Sequence, residues 1–299
     1  MSFGSITVQV TNRDKVFFPS DGITKGELID YYVRISDIML PHLKDRPTTL
    51  QRFPEGIKEE GFYQKEVPNY FPDWVERVKV ETVGEDGSQQ QVVCNNKATL
   101  AYLADKGCIT IHIWPSRRDK LNYPDKLVFD LDPPDDDFEI VRDAALAMKK
   151  LFDKIELSSY PMTTGSRGIH IVAPIDRSEN YDKVRQFAKR VVDFLANQNS
   201  DVFTVENRKD KRKGRLYLDT LRNAYGQTSV APYSVRPIDG APIATPLEWE
   251  ELHESSLNSQ SYNLENIFRR LGQTKDPWSR IYSYSQSLNK PSESLKSLK

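Results

Sequence analysis

The chain has 299 residues, 38% of them hydrophobic and 28% charged, and a formal net charge of -1 at pH 7. That length supports one large domain or two small ones, and the near-zero charge means that any nucleic-acid partner must be held by local patches rather than by an overall field. No apolar run approaches the ~20 residues of a membrane span and residues 1–10 lack a secretory pattern, so the expectation is a cytoplasmic protein with no membrane partner.

Cys94 and Cys108 have no metal-ligand spacing with each other or with the four histidines, and they are too few for a disulfide scaffold, so they read as buried thiols. Residues 24–40 carry a capping box, Thr24 with Glu27, followed by Leu28, Tyr31, Tyr32, Ile35, Ile38 and Met39 at helical spacing, and Pro41 is expected to stop the helix. Lys15, Lys25, Arg46 and Arg52 flank it. Cations beside a helix N-terminus suit a phosphate, although by spacing alone solvated surface lysines are the stronger reading. In residues 51–65, Phe53, Phe62 and Tyr63 alternate with Arg52, Lys58 and Lys65. Rings interleaved with cations suit a single-stranded base and its phosphate, but also describe a loop packed by its own rings.

Residues 78–83 and 89–94 read as a hairpin around 84–87, and residues 97–105 as a short helix ending at Gly107. In the strand 109–113, isoleucines alternate with Thr110 and His112. The next strand ends in Leu127-Val-Phe-Asp-Leu-Asp-Pro-Pro134. Strand alternation puts Leu127, Phe129 and Leu131 on one face and Val128, Asp130 and Asp132 on the other. Two carboxylates that close repel unless a cation lies between them, and oxygen-only ligands suit magnesium or manganese. An Asp-x-Asp pair could instead cap the following helix, but Asp135, Asp136 and Asp137 already stand before it.

Residues 138–152 form an amphipathic helix and 157–162 a strand. Thr163-Thr-Gly-Ser-Arg-Gly168 then makes a loop whose backbone N–H groups suit an anion, followed by a strand on which His170 lies opposite Ile169 and Ile171. Such Gly/Ser turns mostly just turn. Residues 180–196 form a second long helix. Residues 208–215 hold six cations, a solvated turn or a strip for a nucleic-acid backbone. In the strand 215–219, Tyr217 and Asp219 share the face opposite Leu216 and Leu218.

From residue 127 to 231 the order is strand, helix, strand, strand, helix, strand, the ferredoxin-like split βαβ arrangement. Its first strand lies between the third and fourth, so Asp130 and Asp132 would be flanked by His170 and Asp219. Three carboxylates beside an anion cradle suit two-metal phosphoryl or nucleotidyl transfer, and the guanidinium forks of Arg222 and Arg236 suit a nucleotide tail.

Leu127-Val-Phe-Asp-Leu-Asp-Pro133, Thr164-Gly-Ser-Arg-Gly-Ile-His170 and the block from Tyr217 to Arg236 resemble the three sequence blocks of the polymerase domain of bacterial ligase D, in the archaeo-eukaryotic primase superfamily. The similarity runs from about residue 12 to about 284. It implies an α+β primase-polymerase fold over 1–284, with an RRM/ferredoxin-like core at about 125–236, an N-terminal α/β lobe at about 1–115, and a flexible Ser/Lys-rich tail at 285–299. It implies a template-directed nucleotidyltransferase that fills gaps and extends ends in non-homologous end joining, preferring ribonucleotides.

The resemblance assigns Asp130, Asp132 and Asp219 as catalytic metal-binding acids for Mn2+ (or Mg2+). It assigns His112, Thr164, Arg167, His170, Arg222 and Arg236 to the nucleotide, Lys15 and Lys25 to a DNA 5′-phosphate, and Arg52, Phe62 and Tyr63 to the template. Implied partners are DNA with gaps or ends carrying a 5′-phosphate, nucleoside triphosphates, Ku and a separate ATP-dependent DNA ligase. Two other readings are open. Val-Phe-Asp-Leu-Asp is similar to the first block of haloacid-dehalogenase-type phosphatases, though Pro133-Pro134 replaces the usual Gly-Thr, and a non-catalytic DNA-end-binding module would make the acids structural.

Overall fold

Patterns of period 3.6 and period 2 sort into two units in the computed structural model, which describes residues 1–82, 87–135 and 137–298. One unit comprises Met1–Leu121, Thr228–Ala244 and Tyr262–Gln273; the other comprises Asn122–Gln227, Thr245–Ser261 and Thr274–Lys299.

In the first unit the Thr24/Glu27 capping box starts helix α1, Lys25–Leu43, whose Leu28, Ile29, Tyr32, Ile35 and Met39 are buried. Pro41 does not stop this helix as expected. It withholds one N–H, but the chain stays helical through His42 and Leu43 because both are buried. Helix α2, Lys97–Asp105, capped by Asn96, packs on α1. Beside them lies an antiparallel sheet in the order Ser229–Val230, Cys108–Ile113, Thr48–Arg52, Phe62–Gln64. Ile109, Ile111 and Ile113 face the core, as their alternation predicts. The expected hairpin is present as Arg77–Glu81 and Ser88–Val92, while most of its turn lies outside the described residues.

The second unit is built on the Lys126–Asp132 strand. The sheet runs Phe203–Thr204, Leu216–Asp219, Lys126–Asp132, Ile169–Pro174, Tyr160–Thr163, Thr245–Pro246. Its four middle strands have the ferredoxin-like order, so the acidic strand is central as expected. Helices α3, Phe138–Lys154, and α4, Tyr181–Gln198, bury Val141, Ala145, Met148, Phe152, Val184, Phe187 and Val191. Leu127, Phe129 and Leu131 are likewise buried, and the Phe129 and Phe152 rings lie 5.3 Å apart.

Three boundaries differ from expectation. Residues 228–236 join the first unit rather than the ferredoxin-like core, because Ser229–Val230 pairs with Ile113 and His112 and the Ala231 N–H donates to the Ile111 carbonyl. The strand expected from 157 is Tyr160–Thr163. The tail expected to be flexible contains a helix, Asn289–Ser297, with Pro291 and Leu295 buried, and Gln286 before it bonds the Ser158 backbone through both N–H and carbonyl. Two apolar anchors and a bidentate amide outweigh the Ser/Lys composition there.

Candidate active site

The strand registers bring three polar side chains into one row. Asp130 pairs with His170 on one neighbour and with Asp219 on the other, and Asp132, two residues on, pairs with Tyr217. Residues directly opposite in an antiparallel pair project to the same face. Asp132 does not cap α3; Asp137 does, accepting from the Glu139 N–H. The capping alternative therefore fails, and Asp130 and Asp132 lie on the sheet face opposite the helices.

Each carboxylate has a distinct electrostatic setting. Asp130 Oδ1 is 3.3 Å from His170 Nε2 and Oδ2 accepts from Arg222 Nε at 3.1 Å. Burial alone would raise its pKa, but His170 and Arg222 outweigh that and hold the carboxyl well below the usual range. Asp132 is pushed up, first by burial and then by the Asp130 charge. Asp219 is also raised by burial and by Asp130, although its Oδ1 accepts the Leu221 N–H at 2.7 Å and the Tyr217 hydroxyl at 3.4 Å. Burial, then the Asp219 charge, pushes the Tyr217 hydroxyl up to about 12. A low acid between two raised ones is the behaviour of carboxylates that feel each other.

Arg222 is positioned by its neighbour. Beyond Asp219 the strand ladder stops, and the Asn223 amide continues it, accepting the Val128 N–H at 2.8 Å and donating to the Val128 carbonyl at 2.6 Å. That pins the turn Leu221–Asn223 beside Asp130.

The loop 164–168 closes on itself. Thr164 is buried, and its Oγ1 accepts from the Ser166 and Gly168 N–H groups at 3.3 and 3.2 Å. Gly168 lies hard against the acidic strand, where an added Cβ would fall 2.2 Å from the Leu131 carbonyl oxygen and 3.2 Å from Asp132 Oδ1. Only glycine admits this approach. A cleft of about 480 Å³ opens beside it, lined by Asp132, Arg167, Arg212, Tyr217 and Asp219 among others. His170 Nδ1 is a buried polar atom without a hydrogen-bond partner among the described residues.

The donor set of Asp130, Asp132 and Asp219 fits a hard divalent ion in kind and in strand position. As the side chains stand, however, no three His, Cys, Asp or Glu residues among the described ones are arranged to close on one ion. Asp130 spends both oxygens on Arg222 and His170, and Asp219 spends one on Leu221.

The remaining candidates belong to the first unit. Lys15 is ion-paired with Glu55 and donates to the Pro54 carbonyl at 2.9 Å. Lys25 is 5% exposed, with Nζ 2.7 Å from Asp105 Oδ1. Arg52 is also buried, donating to the Lys106 carbonyl at 2.8 Å, to Gln64 Oε1 at 2.5 Å and to the Tyr70 hydroxyl at 2.9 Å. Phe62 and Tyr63 are exposed on the edge strand, but on opposite faces. Phe62 pairs with Arg52, whose guanidinium lies 5.3 Å from the ring centroid, whereas the Tyr63 ring is 5.7 Å from His112. Arg236 follows the Val235↔Ile243 bridge, its N–H donating to the Pro242 carbonyl at 2.7 Å.

Sequence patterns missed the residues that support the row. Tyr217 was legible as facing with Asp219, and the Arg222-Asn223 pair was adjacent to a candidate. Ser259 and Gln260, which bond the 164–168 loop, had no signal in a polar stretch about 90 residues downstream.

The chain matches the family model "LigD, primase-polymerase domain" over residues 24–278. It is 34% identical over 281 residues to the bifunctional non-homologous end joining protein LigD of Bacillus subtilis, covering 93% of this chain and 45% of that one. It is 30% identical over 272 residues to the multifunctional LigD of Mycolicibacterium smegmatis, covering 90% of this chain and 35% of the relative. The chain thus spans less than half the length of these relatives. Among solved structures, the polymerase domain of Mycobacterium tuberculosis ligase D in complex with DNA superposes with a TM-score of 0.86 at 28% identity, covering 93% of this chain and 99% of that one. The acidic row, the glycine loop and these likenesses extend over the same residues, and the chain belongs to the LigD primase-polymerase domain family.

Proposed function

We propose that this chain is a template-directed nucleotidyltransferase that adds nucleotides, ribonucleotides in preference, to DNA ends and gaps during non-homologous end joining. The observation that carries this is the row His170, Asp130, Asp219, with Asp132 beside it, on the face of the sheet opposite the helices. The family match displaces the dehalogenase-type reading of Val-Phe-Asp-Leu-Asp.

Asp130, Asp132 and Asp219 would hold divalent ions, manganese or magnesium, which when bound lower the pKa of an attacking hydroxyl and neutralise triphosphate charge. Asp130 would turn from Arg222 to do so. The freed guanidinium, and that of Arg167, which lines the cleft, suit the phosphate oxygens. His170 Nδ1, buried and without a hydrogen-bond partner among the described residues, would find one in the nucleotide. Thr164 acts through the loop it closes rather than through a hydroxyl free for ligand.

In the first unit, Tyr63 offers a ring for an unpaired template base. Phe62 would serve the other face of the same edge, where Arg52, its cross-strand partner, would support it. Lys15 and Lys25 would meet a DNA 5′-phosphate, with Glu55 and Asp105 as competing acids. Ku and a separate ligase are partners of this activity in the same proposal.

The test is primer extension on gapped, 5′-phosphorylated DNA with manganese, with ribo- and deoxynucleoside triphosphates in competition. Extension should be seen, should favour ribonucleotides, and should vanish in Asp130→Ala and Asp219→Ala. Undiminished extension in both variants would exclude this site. Tight DNA-end binding with no incorporation in the unaltered chain would favour the non-catalytic module.

A further inference from the structure

The 258–261 turn holds the glycine loop from the side away from the acids. Asn258 Oδ1 accepts the Gln260 N–H and Ser261 Oγ accepts the Asn258 N–H, both at 2.8 Å, so the turn is self-bonded and presents Ser259 and Gln260 outward from its own backbone. Ser259 is buried. Its Oγ donates to the Gly168 carbonyl at 3.0 Å and lies 3.3 Å from Thr164 Oγ1. Gln260 Nε2 donates to the Ser166 carbonyl at 2.8 Å.

These two carbonyls flank Arg167. One anchor sits on Ser166 and the other on Gly168, so the residue between them is fixed at both ends. On its far side Gly168 has no freedom either, since its Cα already abuts Leu131 and Asp132. A rigid strand on one side and two side-chain donors on the other leave the loop one position. Arg167 lines the cleft with Asp132 and Asp219, and its charge acts on Asp132.

We infer that Ser259 and Gln260 are positioning residues that set where the Arg167 guanidinium meets the phosphates of an incoming nucleotide. This rests on the proposed nucleotidyl transfer. Neither side chain reaches the reacting atoms; both act through Ser166, Arg167 and Gly168. Their donors go to loop carbonyls, which leaves the Arg167 guanidinium available for an anion, while the Ser166 and Gly168 N–H groups stay bonded to Thr164 Oγ1.

The experiment measures the nucleotide dependence of gap filling by the full chain carrying Ser259→Ala, Gln260→Ala or both, each alone and combined with Arg167→Ala. Losing one or two ordinary hydrogen bonds should raise KM for the nucleoside triphosphate about 5- to 10-fold, with kcat changed less than about twofold because the acids are untouched. In the Arg167→Ala background the same changes should have little further effect, since the group they aim is gone. Gln260 is exposed, so Gln260→Ala decides the matter if Ser259→Ala fails to fold. An unchanged KM in Gln260→Ala, or full additivity with Arg167→Ala, overturns the inference and leaves the enzyme assignment standing. No nucleotide incorporation by the unaltered chain overturns both.

Discussion

Lys25 is the position where the structure makes the sharpest quantitative demand. It opens α1 but is almost fully buried, and its Nζ lies 2.7 Å from the fully buried carboxylate of Asp105. Replacing it with Met keeps the stem and removes the charge, which leaves Asp105 inside the fold with the Thr11 N–H at 2.9 Å and the partly exposed Lys106 at 3.0 Å. Breaking a buried pair from one side costs about 3–5 kcal/mol, and the two remaining donors put the expected loss near the lower end, about 3 kcal/mol. For a chain of this size that corresponds to a drop in Tm of roughly 5 °C.

The pH dependence has a definite sign. Burial pushes Asp105 up, but Lys25, Thr11 and Lys106 together hold its pKa below the ordinary value. Its contribution is therefore fully present above the unfolded carboxylate pKa of about 4 and is lost as pH falls through the lower folded value. The gap between wild type and Lys25→Met should shrink on acidification. Thermal and urea melts across pH measure it, and Lys25→Met/Asp105→Leu should recover much of the loss. A destabilisation under about 1 kcal/mol at pH 7, or a double variant worse than both singles, would refute the reasoning. Since Lys25 changes act through stability, a 5′-phosphate pocket is better tested with Lys15→Ala, which should weaken binding to phosphorylated ends and leave unphosphorylated ends alone.

Asp132 has a raised folded pKa, so its ionised form opposes folding at neutral pH and ceases to do so as pH falls through that value. Asp132→Asn should accordingly raise Tm near pH 7 in chelator while abolishing incorporation, with the gain fading in acid; a lowered Tm at pH 7 contradicts the crowded-acid account. Arg222→Ala removes the cation now bonded to Asp130 and should strengthen manganese binding by the nucleotide-free protein, read by titration calorimetry, while weakening nucleotide binding. Weaker manganese binding would show that Arg222 does not compete for Asp130. Tyr63→Ala should cost about 1–3 kcal/mol in affinity for a single-stranded overhang and spare blunt duplex, with Tyr63→Phe close to wild type in fluorescence anisotropy. Equal loss on blunt ends would remove the stacking role.

Periodicity by itself makes the strand faces legible. A two-residue repeat sends Phe129 and Leu131 to the helices and Asp130 and Asp132 to the other side whatever the rest of the chain does, and the Thr24/Glu27 box starts α1 from purely local bonds. The same alternation separates Phe62 from Tyr63, although a reading by composition grouped them. The three motif blocks likewise carry the family without a fold.

Only the tertiary structure decided which oxygen meets which donor. Asp130 meets Arg222 because Asn223, 95 positions from Val128, replaces a missing ladder bond. Lys25 finds Asp105 across the α1–α2 contact and is buried there, and Arg52 turns inward to the Lys106 carbonyl and Tyr70 instead of outward to a ligand. Ser259 and Gln260 reach the glycine loop from a turn with no pattern of its own. Local sequence encodes the direction of a side chain, through the repeat of its backbone; the partner at the end of it depends on which distant carbonyl or carboxylate is left wanting a donor once the strands have docked.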